Sequence, residues 1–382
     1  MQIHTLAVSN YRSLHELVVP MGALTVVTGA NGTGKSSLYR CLRMLAEVAS
    51  GELVGSISRE GGLMSVLWAG PAIVSRRMRT GEVPTEGQQK VSPVRVRLGF
   101  AGTETGYSVE LGLPKRGFFP NDPEIKREVL WGGDSLQTGV VVASRGRGLV
   151  SGIDRHPVCT DMPAHESMLT RVLDPARTPE IVSMRDQLRS WRFYDQLRTD
   201  RDAVCRQPVV GTWSPVLSHD GGNVAAALVS LRVCKLGERF DAVIHDAFPG
   251  SKVEVWNDGR MMQLSMTQPG MVRPLLAPEL SEGTLRFVML AVALLSPDPA
   301  PLVVLNEPEA HLHEDLLPAL ARLIFRATER SQVWVVTHAP LLAQYLESHP
   351  GAVHHVLEKD HGETVLQGQT LLSGPYWSWP MR

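Results

Sequence analysis

The chain has 382 residues, 43% of them hydrophobic and 20% charged, enough for one large or two ordinary domains with a real core. Lys and Arg total 38 against 39 for Asp and Glu, a formal net charge of -1. That balance gives no support to a strongly basic nucleic-acid coat and leaves room only for a local patch.

In chain order, residues 3–8 and 24–28 read as strands, separated by the turn-like Ser9-Asn10-Tyr11-Arg12-Ser13 and by Pro20-Met21-Gly22. A glycine-rich turn follows. Residues 36–48 then carry Leu38, Leu42, Leu45 and Val48 on one helical stripe. Residues 51–89 are rich in Gly and Ser and predict loop with one short helix. Residues 94–100, 107–113 and 125–131 predict successive strands of an antiparallel meander. From about residue 144 to 235 the pattern is helical and irregular. Its arginines, from Arg185 to Arg206, are interleaved with Asp186, Asp195, Asp200 and Asp202, as on a solvated, salt-bridged face rather than a DNA patch.

Strong periodicity returns afterwards. Residues 253–256 and 261–266 flank Asn257-Asp258-Gly259, a hairpin signal. Residues 281–295 predict a helix with Ser281 as its N-cap, 302–305 an apolar strand, 316–325 a helix, 333–337 a buried strand and 341–346 a short helix. Residues 353–357 and 364–371 predict a closing hairpin around His361-Gly362. The cysteines Cys41, Cys159, Cys205 and Cys234 form no CxxC or Cys/His cluster and read as reduced, as in a cytoplasmic protein. No apolar run reaches membrane-spanning length. The N-terminus lacks the basic-then-apolar plan of a signal peptide.

The run Gly29-Ala30-Asn31-Gly32-Thr33-Gly34-Lys35-Ser36 matches G-x-x-x-x-G-K-[ST] without deviation. Its glycines let backbone N–H groups turn inward on phosphates with no Cβ in the way. Lys35 supplies a point charge for the β- and γ-phosphates, and Ser36 a hydroxyl for Mg²⁺. The helix that starts there, through Ser36 and Ser37, adds its positive dipole end. ATP with Mg²⁺ is the expected ligand.

A second constellation lies at Pro301-Leu302-Val303-Val304-Leu305-Asn306-Glu307-Pro308-Glu309, an apolar strand ending in polar groups. An open α/β sheet places its ligand chemistry at such carboxyl ends. In P-loop enzymes the first polar position normally carries an Asp for Mg²⁺. Here it is Asn306, whose amide oxygen can accept from a metal-bound water but brings no charge. Glu307 is the candidate for polarising the attacking water, with Glu309 as the alternative source of charge.

Residues 305–313, Leu305-Asn306-Glu307-Pro308-Glu309-Ala310-His311-Leu312-His313, resemble the D-E-P-E-x-x-L-H segment of ABC-type ATPases related to RecF, structural-maintenance-of-chromosomes (SMC) and OLD-like proteins. Leu280-Ser281-Glu282-Gly283-Thr284 is similar to their L-S-x-G signature. Val335-Val336-Thr337-His338-Ala339-Pro340 resembles their switch-histidine strand end, and Asn10-Tyr11-Arg12-Ser13-Leu14 their opening N-[FY]-[KR]-S-[LI]. The order of the motifs is the family's order. The resemblance implies an α/β ABC-type ATPase head, a mixed sheet flanked by helices with an antiparallel meander and a helical insertion. On this reading residues 1–140 are the N-terminal half of the head, 141–240 a mainly helical insertion and 241–382 the C-terminal half.

It further implies an ATP-sandwiched homodimer with two composite sites. Ser281 and Gly283, at a helix N-terminus suited to anions, would face the γ-phosphate bound by the other protomer. His338, at a buried strand end, would touch the γ-phosphate and sense its loss. Arg12 is open between a nucleotide contact and a surface arginine. His311 and His313 look like a metal pair, but fit a dimer-contact loop better. The glutamine that usually joins the two lobes has no clear place, Gln88 and Gln89 being in poor strand context. DNA-related work, phage defence and toxin-like regulation all fit the resemblance. Asn306 keeps open an alternative, a slowly or non-hydrolysing nucleotide-gated scaffold that controls a separate effector or DNA.

Overall fold

The structure is a computed structural model that describes residues 2–71, 95–114, 119–153, 156–369 and 374–380. Gln88 and Gln89 lie outside the described residues. The chain forms two compact units, one of Met1–Gly22, Thr28–Trp191 and His355–Arg382, the other of Ala23–Val27 and Arg192–His354.

In the first unit, β1 (Ile3–Tyr11) and β2 (Leu14–Pro20) form a hairpin, with Tyr11 paired to Leu14 across the two-residue turn Arg12-Ser13. Arg12 takes a left-handed φ of 49° there, as does Asn10 at 61°. The strand β3 (Leu24–Gly29) begins in the second unit and its last two residues belong to the first. The predicted helix is present as α1 (Lys35–Ser50), and α2 (Leu53–Arg59) and α3 (Leu63–Val66) follow where loop with one short helix was expected.

The expected meander is present as β4 (Val96–Gly102), β5 (Thr105–Gly112) and β6 (Glu124–Gly132). It continues through β7 (Val140–Gly146), β8 (Leu149–Ser151) and β9 (Pro157–Cys159), giving an eight-stranded antiparallel sheet in the order β2-β1-β4-β5-β6-β7-β8-β9. Helices α4 (Met168–Arg171) and α5 (Pro179–Ser190) complete the stretch, α5 packing on α1. Phe100 anchors this core, its ring 5.5 Å from that of Trp191 and 6.4 Å from that of Tyr107.

Glu128 on β6 is 0% exposed, so its carboxylate has to be met by donors. Tyr107 Oη donates at 2.5 Å, Met168 N at 2.9 Å, Arg145 Nη1 at 3.2 Å, and Ser167 Oγ also donates. Burial beside this carboxylate drives the Tyr107 hydroxyl well above its ordinary pKa.

The second unit centres on parallel strands. β10 (Arg192–Tyr194) pairs with β15 (Leu302–Asn306), β15 with β16 (Gln332–Val336), and β16 with β3. Short elements precede β15: β11 (Val209–Val210), α6 (Val224–Val233), α7 (Gly237–Ala247), the hairpin β12 (Lys252–Asn257) and β13 (Met261–Thr267), and β14 (Leu275–Leu276). The Asn-Asp-Gly turn behaves as its composition predicts, Asp258 Oδ1 accepting from Arg260 N and Met261 N.

Helices α8 (Glu282–Leu294), α9 (Leu317–Thr328) and α10 (Pro340–Glu347) pack around a core that includes Phe240, Phe287, Leu290, Leu320 and Leu342. Val303, Val304, Val333 and Trp334 are buried, which explains their continuous apolar runs. The chain closes with β17 (Ala352–Asp360) and β18 (Glu363–Leu366), an antiparallel hairpin around His361-Gly362.

Residues 141–240 hold most of β7, the strands β8 to β11, the helices α4 to α6 and the start of α7, and β8 to β11 have only two or three residues each. Strands that short leave no alternation to read. Among the described residues, no helix is long and apolar enough to cross a membrane.

Candidate active site

In the first unit, the loop between β3 and α1 is shaped by its glycines. Gly29 has a φ of 144°, and a Cβ there would lie 2.5 Å from Leu357 O and 2.8 Å from Thr33 Oγ1. Gly34 has a φ of 109°, and a Cβ there would run into Thr364 Oγ1. Thr33 Oγ1 donates to Ala30 O at 2.8 Å, bracing the turn. Lys35 is 5% exposed and its Nζ donates to Gly29 O at 2.5 Å and Ala30 O at 2.8 Å. Asn31, Gly32 and Ser36 are exposed, Ser37 buried.

The α1 N-terminus has no side-chain cap at Gly34 and no acid in its first turn. A helix start of that kind suits an anion, because its leading N–H groups carry the positive end of the helix dipole. The sequence reading missed Thr364, whose hydroxyl donates to Thr33 O at 2.7 Å and meets Ser13 Oγ at 2.8 Å. It ties β18 to the glycine-rich loop and to the β1–β2 turn. Nothing about an isolated strand threonine signals that role.

Arg12 is half-exposed and its Nη2 donates to Glu60 Oε2 at 2.7 Å. Glu60 also accepts from Tyr11 Oη at 3.0 Å and from Arg40 Nε at 2.5 Å. Burial favours the neutral acid here, but the hydrogen bond and charge of Arg40 outweigh it, and Tyr11 and Arg12 add to the effect. Together they hold the carboxyl of Glu60 below the usual carboxylate range.

In the second unit, register aligns the strand ends. Asn306 pairs with Val336, and Val336 with Val27, two residues before the loop glycine Gly29. Glu307 follows with a left-handed φ of 49°. Its N–H donates to Val336 O at 2.8 Å. Its side chain is 46% exposed, and Oε1 lies 3.1 Å from Nε2 of His338, itself 40% exposed.

Glu309, the alternative carboxylate, is engaged elsewhere. Its Oε1 accepts from Thr337 Oγ1 at 2.6 Å, His338 N at 2.9 Å and Ala339 N at 3.2 Å. Arg286 on α8 is 5% exposed and donates to Leu197 O at 2.6 Å and Glu307 O at 3.0 Å. Burial pushes its guanidinium below the ordinary value, against the pull of Glu309 and Glu307.

Ser281 caps α8 as expected, its Oγ accepting from Thr284 N at 3.1 Å. Gly283 is required by a close approach, since a Cβ there would lie 2.6 Å from His311 O. His311 Nδ1 lies 3.2 Å from Glu282 Oε2, and His313 caps the next turn through Asp315 N. The segment before Ser281 is pinned by Arg206, whose guanidinium donates to Ala277 O at 2.9 Å and Leu280 O at 2.8 Å. Arg206 is therefore a buried clamp, in contrast to Arg198, which pairs with Asp200 on the surface as the interleaved charges predict.

Residues 24–131 and 211–343, more than half of the chain, match the family model described as "AAA domain, putative AbiEii toxin, Type IV TA system". The chain belongs to this AAA-domain family. Three solved structures are similar in fold. An SMC head bound to the C-winged helix domain of ScpA is 13% identical, with 97% of this chain and 98% of that one covered and a TM-score of 0.56. The Smc head with an extended coiled coil from Pyrococcus furiosus, bound to the C-terminal domain of ScpA, is 12% identical, with 97% of each chain covered and a TM-score of 0.54. The Smc head with a coiled coil and joint from Pyrococcus yayanosii is 10% identical, with 97% and 98% covered and a TM-score of 0.54. No curated protein matches the chain. This AAA-domain protein thus has the fold of the ABC-type SMC head, and its family is one of ATP-binding ATPases.

Proposed function

We propose that this AAA-domain protein hydrolyses ATP as an ATP-dependent homodimer, with each triphosphate held between the glycine loop of one protomer and the Ser281 helix tip of its twin. The observation that carries the reading is the Glu307–His338 pair at the carboxyl ends of adjacent parallel strands, 3.1 Å apart and both open to solvent. A carboxylate in that position takes the proton of an attacking water. The histidine beside it both orients the carboxylate and registers the γ-phosphate.

Lys35 neutralises the β- and γ-phosphates, and residues 29–37 cradle them with backbone N–H groups. Ser281 and Gly283 present the N-terminal end of α8 to the phosphate of the other protomer. Mg²⁺ is the metal expected with the nucleotide, and the Ser36 hydroxyl and the Asn306 amide oxygen are each hard oxygen donors of the kind it takes, directly or through water. Bound there, the metal would offset charge on the transferred phosphoryl group. Arg12 is an auxiliary phosphate or base contact whose resting partner is Glu60.

The insertion, residues 141–240, is the element that responds to dimer closure. The setting is intracellular defence or toxin-type regulation, following the family description, with DNA or a separate effector protein as the partner. The test is phosphate release by the wild-type protein against Glu307→Gln. Turnover well above that variant supports the enzyme.

One observation favours a second reading. Asn306 contributes no negative charge where P-loop enzymes place an Asp, and a weakly held metal would make the protein a nucleotide-gated scaffold. Parity between the wild type and Glu307→Gln, with ATP binding intact, supports that reading.

A further inference from the structure

Three donors converge on a single oxygen of Glu309: Thr337 Oγ1 at 2.6 Å, His338 N at 2.9 Å and Ala339 N at 3.2 Å. Ala339 N also reaches Thr337 Oγ1 at 3.0 Å, so the turn closes on itself around the carboxylate. Charge-assisted bonds of this kind are roughly twice as strong as neutral ones. They fix the backbone on both sides of His338.

The other end of the link is equally well held. Glu307 is only two residues upstream, its N–H is bonded to Val336 O, and its carbonyl accepts from Arg286. The second oxygen of Glu309, Oε2, is buried without a hydrogen-bond partner among the described residues, and so is Nε of Arg286. Buried orphans of opposite charge are costly unless the arrangement serves something. The partnered atoms of both side chains are held by the protein and the orphaned ones are buried, so neither side chain is presented to substrate.

We infer that Glu309 is a positioning residue, the tie that sets the His338 turn so that its imidazole meets Glu307, with Arg286 bracing Glu307 from the signature helix. The inference rests on the Glu307–His338 reading given above. It gives the second carboxylate of the Glu307-Pro308-Glu309 run a task distinct from the first: Glu307 acts on the water and Glu309 acts on the histidine. It also joins α8, through one guanidinium, to the strand end that carries Glu307.

The experiment combines steady-state kinetics with imidazole NMR on ¹⁵N-histidine-labelled full-length protein, His338 being assigned from a His338→Gln variant. Glu309→Gln keeps the volume and removes the charge. It is expected to lower kcat by roughly 30- to 100-fold, in line with the cost of misplacing a reacting group by about 1 Å, and to leave KM for ATP within about threefold. It should also move the His338 ring resonances in the direction that Glu307→Gln moves them. Thr337→Val, which removes one donor, should show the same split to a smaller degree. The double variant should fall short of the product of the two.

If Glu309→Gln fails to fold, the ring shift in Thr337→Val decides. Unchanged His338 resonances in a folded Glu309 or Thr337 variant overturn the proposal, whatever happens to the rate. A His338→Ala variant with wild-type turnover would instead overturn the Glu307–His338 reading. The ring resonances would still report whether Glu309 sets the histidine.

Discussion

Nε2 of His338 stands 3.1 Å from Oε1 of Glu307, although the two residues follow different strands, β16 and β15. The parallel register that pairs Asn306 with Val336 brings them together. Replacing Glu307 with Gln keeps the shape and removes the proton acceptor. Turnover should fall by about 10²- to 10⁴-fold, the usual contribution of a general base, while ATP affinity is retained. Phosphate release and fluorescent-nucleotide binding measured on the same preparation check this.

The phosphate loop depends on Gly34, which has a φ of 109° and has Thr364 packed where a Cβ would go. Gly34→Ala should cost on the order of 1–3 kcal/mol through backbone strain alone. It should also abolish the rise in melting temperature that Mg-ATP gives the wild type. Thermal melts with and without nucleotide separate the two effects.

Glu128 is a stability residue with no part in the site. Truncating it to Ala strands the 2%-exposed Arg145 without its charge partner. Removing one member of a buried pair typically costs about 3–5 kcal/mol. Urea denaturation should show that loss, and whatever protein remains folded should bind ATP as the wild type does.

Glu60 makes stability depend on pH in the acid range. Arg40, Tyr11 and Arg12 hold its folded-state carboxyl below the usual value in spite of burial. Its stabilising contribution is therefore complete above the unfolded carboxylate value, about 4.3, and disappears as pH falls through the lower folded value. The stability gap between the wild type and Glu60→Gln should be constant from pH 5 to 7 and shrink below about pH 4. A gap that widens on acidification would contradict the cluster.

The parts of the site that are legible in the sequence are those encoded by contiguous residues. The phosphate loop needs its glycines in a fixed order, and β15 shows as an apolar run because both its faces are buried. Ser281 announces a helix start because an N-cap needs a side-chain acceptor. What stays hidden depends on contacts distant in sequence. Thr364 is 331 residues from the Thr33 carbonyl it supports, and Arg206 clamps a segment more than seventy residues away. In an acid-interleaved arginine stretch, the clamp is indistinguishable from its solvated neighbours. Strands of two or three residues, such as β10 and β11, exist because a neighbouring strand offers a free edge, and no local preference encodes that.

The most direct test of the paired-site account is the solution mass of Glu307→Gln, measured by light scattering with and without saturating Mg-ATP. The account predicts a monomer without nucleotide and a dimer with it, the dimer being lost again when Ser281 is replaced by Arg. A Glu307→Gln protein that binds Mg-ATP and remains a monomer would contradict it.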